Sequence, residues 1–453
     1  MPADRPSQPR PGPLPRHGRY GLLHGVPGDL ILRPWFDVVA LHAVARWYLP
    51  LSRAWAEAQA PDARGDGLSP AFRRRVAAGR AAYDAAEAAW RGTVFGAGEA
   101  AIDGLVAATQ ARQAAAQRHM ATRFYGVPGH LRQCFPATRW EVPPPAAVEA
   151  AQGARLAGTA AAFPAPEGGV VERSRAVPGP FGREYWLRFR APVLGDTAWA
   201  HVYEPTEVAD PPSLIFLHGI GMETEFWQDL EDNVSALAGQ GLRVIRPEGP
   251  WHGRRRPEGW YGGEPAIGRA PLGLMELFNA WAAEVAVLSA WARDCGSPGV
   301  GLGGVSLGSL TSQMIAMASA HWPAAQHLDA LLLVATTGDM MTLAESGSLS
   351  RALGLWPAMA AAGWTHADLA RWRPLLEPLE APGLPPERVF MLLGAADDLT
   401  PYAGGLELAR RWVVPSENLF RRRQGHFSVS LGLARDAAPL ERLRRVLLGE
   451  TAD

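Results

Sequence analysis

The sequence predicts the α/β class: a mostly parallel central sheet with helices on both faces, joined to a helical region on its N-terminal side. Short continuous apolar runs, such as S-L-I-F-L at residues 213–217 and A-L-L-L-V-A at 330–335, read as strands buried on both faces. Helix-patterned stretches, such as residues 271–293, alternate with them, and that alternation implies parallel strands joined by crossover helices. Finally, G-V-S-L-G at residues 304–308 stands between an apolar run at 300–303 and a helical pattern at 310–318. Strand, sharp turn and helix is the setting that turns this pentapeptide into a nucleophile elbow.

Taken in order, residues 1–28 are rich in Pro, Arg and Gly and are expected to be a mobile tail. Residues 29–141 are expected to form a helical accessory region. Its first part carries tryptophans at 35, 47 and 55; its second is an alanine-rich segment through His119. Ser69 is placed to cap that segment, with Pro70 at the first helical position. Residues 142–180 are biased to Pro, Ala and Gly and read as a linker. The main domain then occupies residues 181–453. Residues 185–189 and 198–203 read as two strands with Gly195-Asp196 in the turn between them. Buried strands follow at 213–217 and 242–245, with a helix between them over 226–238. After the elbow come strands at 330–335, 388–393 and 418–422, and helices at 404–412 and 438–448. Residues 338–383 are too long for a simple connection and are rich in Met, Leu and Trp, which predicts a cap.

Composition narrows the function. Hydrophobic content of 47% and charged content of 20% are those of a globular chain. A net charge of −1 argues against a nucleic-acid partner, which calls for a basic surplus. All 44 basic residues are arginine, so a lysine Schiff base and a P-loop lysine are both excluded. The cysteines, Cys134 and Cys295, lack metal-ligand spacing. The first twenty or so residues carry no apolar leader stretch. No run reaches the ~18 apolar residues that span a bilayer; the nearest, residues 35–51, is interrupted by Asp37, His42 and Arg46. The expectation is a soluble, cytoplasmic chain. The N-terminal helices pack on the main domain or, as a second reading, touch a membrane or partner. No pattern specifies an oligomeric state.

With 49 glycines in the chain, G-V-S-L-G alone carries little weight. Its partners give it weight. A serine hydroxyl needs a base near neutral pKa to take its proton, and that base needs an acid to hold it. Asp397 follows the strand at 388–393, and His426 follows the strand at 418–422. Both sit past the carboxyl ends of strands, where open α/β sheets build their sites, in the chain order Ser306, Asp397, His426. Asp398 and Asp339 are rival acids. The oxyanion hole is expected from the N–H of Leu307 and, in the H-G-I-G loop at 218–221, that of Ile220, with Gly221 as the rival.

These residues resemble the α/β-hydrolase superfamily over residues 185–448. Within it, H-G-I-G followed by Phe226-Trp227, P-W-H-G-R-R-R-P at 250–257, G-V-S-L-G, D-D-L-T-P at 397–401 and G-H-F-S at 425–428 resemble the subfamily of α/β-hydrolase-domain-containing protein eighteen. The resemblance implies an α/β-hydrolase fold and a serine hydrolase acting on a small-molecule or lipid ester, without metal or organic cofactor. Gly221, His252, Trp227 and Met340 are candidates for substrate contact. Arg255 and His252 either bind a polar head group or tie their loop to the domain, and His218 is expected to hold its own loop. Two other functions use the same residues: acyl transfer to an alcohol or amine, and lipid binding on a non-catalytic hydrolase fold.

Overall fold

The computed structural model describes residues 25–60, 67–126, 135–221 and 234–450. Trp227 and most of the helix expected over 226–238 lie outside these residues; the described end of that stretch is a 3-10 turn, Ser235–Gln240.

The sheet contains β1 (Glu172–Arg173), β2 (Val177–Gly179), β3 (Gly182–Arg190), β4 (Thr197–Glu204), β5 (Ser213–Leu217), β6 (Arg243–Pro247), β7 (Val300–Val305), β8 (Ala330–Val334), β9 (Val389–Gly394) and β10 (Leu419–Arg422). Its order is β1-β3-β4-β6-β5-β7-β8-β9-β10, with β2 paired to β3. The strands from β6 to β10 pair in parallel, while β1 to β4 form an antiparallel edge. The expected α/β class is what the chain adopts. The β3–β4 turn falls where Gly195 was expected, at φ 70.

Side chains alternate across the sheet. Ile215, Leu217, Leu331 and Leu333 enter one core with the helices Leu272–Asp294 and Leu307–Ala318. Leu214, Phe216, Leu332 and Phe390 enter the other with Leu440, Leu443 and Leu447 of the terminal helix Ala438–Leu447. Burial on both faces explains why these strands read as unbroken apolar runs. Leu272–Asp294 is also long and apolar enough to cross a membrane by length and composition. Here it is a core helix, buried along most of its length.

Chain order turns at β5. The chain leaves β5 to one side for β6, then crosses back to β7 on the other side. Such a reversal opens a crevice at the carboxyl ends of the two strands. The 218–221 loop leaves β5 there, and the elbow leaves β7 there. The pairing of Leu217 with Gly304 brings them together.

The segment expected to be a linker does more than connect. It holds the helices Pro145–Gln152 and Thr159–Ala162 and the strands β1 and β2. Val148, Ala162 and Phe163 are buried in the main core. The expected cap is helical, from Met340–Ser346 through Arg373–Leu376.

N-terminal helices pack against the body. Pro34–Ala43 lies on the helix His426–Leu431. The alanine-rich segment is two helices, Pro70–Val94 and Ile102–Ala121, with Gly96 and Gly98 in the break. Ser69 caps the first by accepting from the Phe72 N–H at 3.2 Å. Trp90 of that helix packs on Trp186 of β3 and Trp199 of β4.

The arginines of P-W-H-G-R-R-R-P hold these layers together. Arg255 is almost wholly buried; it makes two hydrogen bonds to Glu284, at 2.6 and 2.8 Å, and two to Asp196, both 2.9 Å. Arg254 bonds Glu87 at 3.0 Å and also Glu248, and lies over Trp186. Arg256 reaches Gln59 at 3.1 Å and lies over Trp55. The motif is therefore a clamp between loop, core helix and N-terminal helices. Removing one partner of a buried pair strands the other's charge, whereas an apolar pair can refill the space. Glu284→Ala is expected to lower stability by about 3–5 kcal/mol, and Arg255→Met with Glu284→Leu by less than that. Urea unfolding midpoints of the single and double variants check this.

Candidate active site

Ser306 sits at φ 55 and ψ −119, a backbone region that non-glycine residues seldom occupy. Two glycines make that turn feasible. A Cβ on Gly304 would run into the backbone of Gly308, and one on Gly308 into the carbonyls of Leu217 and His218. Ser306 donates its own N–H to Val334 O at 3.0 Å, which ties the elbow to β8. The helix Leu307–Ala318 begins at the next residue, so the Leu307 N–H belongs to a first turn that has no intrahelical acceptors.

The other two groups arrive from β9 and β10. His426 Nε2 lies 2.9 Å from Ser306 Oγ, and His426 Nδ1 lies 2.9 Å from Asp397 Oδ2. All three residues are buried, Ser306 with 8% of its surface exposed. Asp397 is held by its own turn. Its Oδ1 accepts from the N–H groups of Leu399 at 3.0 Å and Thr400 at 2.9 Å, and its Oδ2 from the Thr400 hydroxyl at 2.8 Å. These three donors orient the carboxylate toward the imidazole, and the carboxylate selects the tautomer with hydrogen on Nδ1. Nε2 is then left as the acceptor for the serine proton.

The rival acids are elsewhere. Asp339 caps the helix Met340–Ser346, accepting from the Thr342 N–H at 2.9 Å and the Thr342 hydroxyl at 2.6 Å. Asp398 is exposed.

Two histidines bind the 218–221 loop to the loop after β6, reciprocally. His218, on the first loop, accepts at Nε2 from the Gly249 N–H at 3.0 Å. His252, on the second, accepts at Nε2 from the Gly221 N–H at 3.3 Å. Each gives its Nδ1 hydrogen to a nearby carbonyl, His218 to Gly219 at 2.8 Å and His252 to Pro250 at 2.9 Å. The rings meet edge to face, 4.7 Å apart. His252, expected against substrate, thus engages both ring nitrogens with backbone. Gly221, the rival oxyanion donor and a further expected substrate contact, has its N–H occupied; Ile220 remains beside it, half-buried. Trp251 holds φ 63 in this loop, a second strained non-glycine residue beside the crevice.

Met340 is buried on the helix Met340–Ser346. With Leu274, Met359 and Leu376 it lines an apolar cavity of about 30 Å³. Among the described residues, no group of three His, Cys, Asp or Glu side chains is arranged to hold a metal.

Sequence reading missed two contributors. Thr400 was visible in principle, since a threonine three residues after an aspartate is a common turn partner. Asp37 was not: from the N-terminal side it accepts hydrogen bonds from the Gly425, Phe427 and Ser428 N–H groups.

No protein-family model matches the chain, and no curated protein does. Among solved structures it is similar to acetyl xylan esterase 1 from Thermoanaerobacterium sp., at 16% identity over 58% of this chain and 89% of that one, TM-score 0.42. It is similar to a bacterial brefeldin A esterase, a homologue of human hormone-sensitive lipase, at 20% identity over 69% and 88%, TM-score 0.39. A cold-adapted esterase from an Arctic intertidal metagenomic library shows 17% identity over 60% and 97%, TM-score 0.38. The α/β-hydrolase fold rests on the chain's own strand order and elbow. The finer resemblance, to the subfamily of protein eighteen, has no sequence relative behind it.

Burial holds the His252 imidazole down to about 4, with the Arg255 charge adding to the effect. Burial, aided by His252, likewise keeps His218 well below the usual histidine range. The unfolded chain, titrating near 6.5, binds more protons below that pH than the folded one does. Stability is therefore full above 6.5 and falls as pH drops toward 4, with a limit of about 3 kcal/mol for His252. Thermal midpoints of wild type and His252→Gln, read across pH 7.5 to 4.5, should show a shallower acid slope in the variant.

Proposed function

We propose that the chain is a serine hydrolase that cleaves carboxylic esters through an acyl-enzyme. One observation carries this reading: the continuous line from Ser306 Oγ through His426 to Asp397, with 2.9 Å at each step. A buried serine beside an imidazole whose far nitrogen is held by a carboxylate is arranged to lose its proton on attack.

In the first half, Ser306 Oγ attacks the ester carbonyl carbon and its proton passes to His426 Nε2. Asp397 stabilises the imidazolium through Nδ1–H. The N–H groups of Leu307 and Ile220 receive the carbonyl oxygen as its charge develops. His426 returns the proton to the departing alkoxide, and the alcohol leaves. In the second half His426 takes a proton from water, the hydroxide attacks the acyl-enzyme, and the proton returns to Ser306 as the acid departs. Loss of one oxyanion donor is expected to remove about 3 kcal/mol of transition-state stabilisation. Resemblance to the subfamily of protein eighteen extends the proposal to lipid esters; acyl preference would be set by the cap over residues 338–383.

The test is a panel of p-nitrophenyl and glyceryl esters of graded acyl length, run on wild type, Ser306→Ala and Asp397→Asn. Wild type should turn over at least one ester, and Ser306→Ala none above background. Asp397→Asn should fall by about 10⁴ in kcat while binding is retained. A fluorophosphonate probe should modify Ser306 in the folded protein. An unmodified Ser306 together with no turnover across the panel would favour a binding module on the same fold.

A further inference from the structure

The helix His426–Leu431 opens with the histidine of the proposed relay. Its first-turn N–H groups have no intrahelical acceptors, and the residue in front of it is Gly425, which has no side chain to cap them. The acceptor comes from Asp37, 390 positions before Phe427 in the chain. Asp37 Oδ1 accepts from the Phe427 N–H at 2.6 Å and the Ser428 N–H at 3.0 Å. Its Oδ2 accepts from the Gly425 N–H at 3.2 Å and from the Ser428 hydroxyl. The Ser428 hydroxyl in turn accepts from the Gly425 N–H at 2.9 Å. Two carboxylate oxygens thus satisfy three backbone donors and one hydroxyl in a single turn.

The fit is mutual. A Cβ on Gly425 would fall on the Asp37 carboxyl carbon, so the glycine leaves the space that the aspartate fills. A negative group at a helix N-terminus also meets the positive end of the helix dipole. Nearby, Gln424 Nε2 donates to Leu32 O at 3.4 Å, so the approach to the turn is held from the N-terminal side as well.

We propose that Asp37 is a positioning residue for His426, and that the N-terminal helices are therefore part of the catalytic apparatus. This rests on the hydrolase reading above. The direction of the imidazole is set by the backbone of residues 425–428. Asp397 and Ser306 each hold one ring nitrogen, but both reach the ring from loops of the sheet. Asp37 fixes the turn that the ring grows from. Without it, the first turn can fray and the ring can swing out of line with Ser306 Oγ. A displacement of about 1 Å at a reacting group is worth on the order of 100-fold in rate.

The experiment compares wild type, Asp37→Asn and Asp37→Ala as full chains. It reads p-nitrophenyl butyrate hydrolysis, the limiting rate of fluorophosphonate reaction at Ser306, thermal midpoint, and amide exchange over residues 425–428. Expected is a fall in kcat of roughly 10- to 100-fold, larger for Ala than for Asn, with KM within about twofold. The fluorophosphonate rate should fall by a similar factor, because Ser306 again relies on His426, and exchange at 425–428 should rise. If Asp37→Ala folds poorly, Asp37→Asn, which keeps the volume and one acceptor oxygen, carries the comparison, with rates taken per folded molecule. Wild-type rates per folded molecule in Asp37→Asn, whatever its melting temperature, would reduce Asp37 to a stabilising contact and overturn the proposal. Wild type with neither turnover nor a Ser306 adduct would remove the hydrolase reading and this proposal with it.

Discussion

The hydrogen bond from Ser306 to His426 joins two loops that the sheet holds apart. The serine follows β7 and the histidine follows β10, three strand positions away, roughly 14 Å at about 4.8 Å per strand. An imidazole cannot span that distance, so the chain after β10 must turn back over its neighbours. It does so against β9: Ala395 and Ala396 donate to the carbonyls of Arg422 and Gln424, extending the pairing past the strand ends. Gly394 allows the crossing, since a Cβ there would strike the carbonyls of Gln424 and Gly425. The helix that starts at His426 then carries the ring over the sheet edge. Parallel strand order, a glycine crossing and a capped turn are all required for one 2.9 Å contact.

The crevice has a second demand, on its floor. Loops carry unpaired backbone groups, and buried ones must find partners. The two histidines answer this by exchanging acceptors between the loops after β5 and β6. Burial opposes a charge on either ring, with His252 adding to the effect on His218 and the Arg255 charge adding to that on His252. The arginine clamp behind them works in the opposite way, by keeping the charges of Arg254 and Arg255 inside and pairing them with Glu248, Asp196 and Glu284. A neutral pair at the crevice and ionic pairs behind it divide the work of holding one strained loop.

Much of this was legible in the sequence, for local reasons. Strands β5, β7, β8 and β9 are short apolar runs because both their faces are covered. The elbow declares itself because only glycine fits at positions 304 and 308. Asp397 and His426 could be placed because each lies just past its strand. What was hidden depends on contacts distant in the chain. The 142–180 segment reads as a linker from its Pro, Ala and Gly content, yet Val148 and Phe163 find a core to enter. His252 sits in a motif that suggests ligand contact, and only the fold reveals that its Nε2 accepts from the Gly221 N–H. Asp37 looked like an interruption in an apolar stretch, because its partners stand at the opposite end of the sequence.

That span has a consequence for timing. A contact between positions 37 and 425 has a separation of 388 residues, nearly the whole length of the chain. As a ribosome releases the polypeptide, the N-terminal helices emerge well before the turn they cap. Closing so long a loop is slow relative to forming local helices. The nascent chain can therefore build its strands in sequence while the turn at 425–428 waits, uncapped, for residue 37 to reach it.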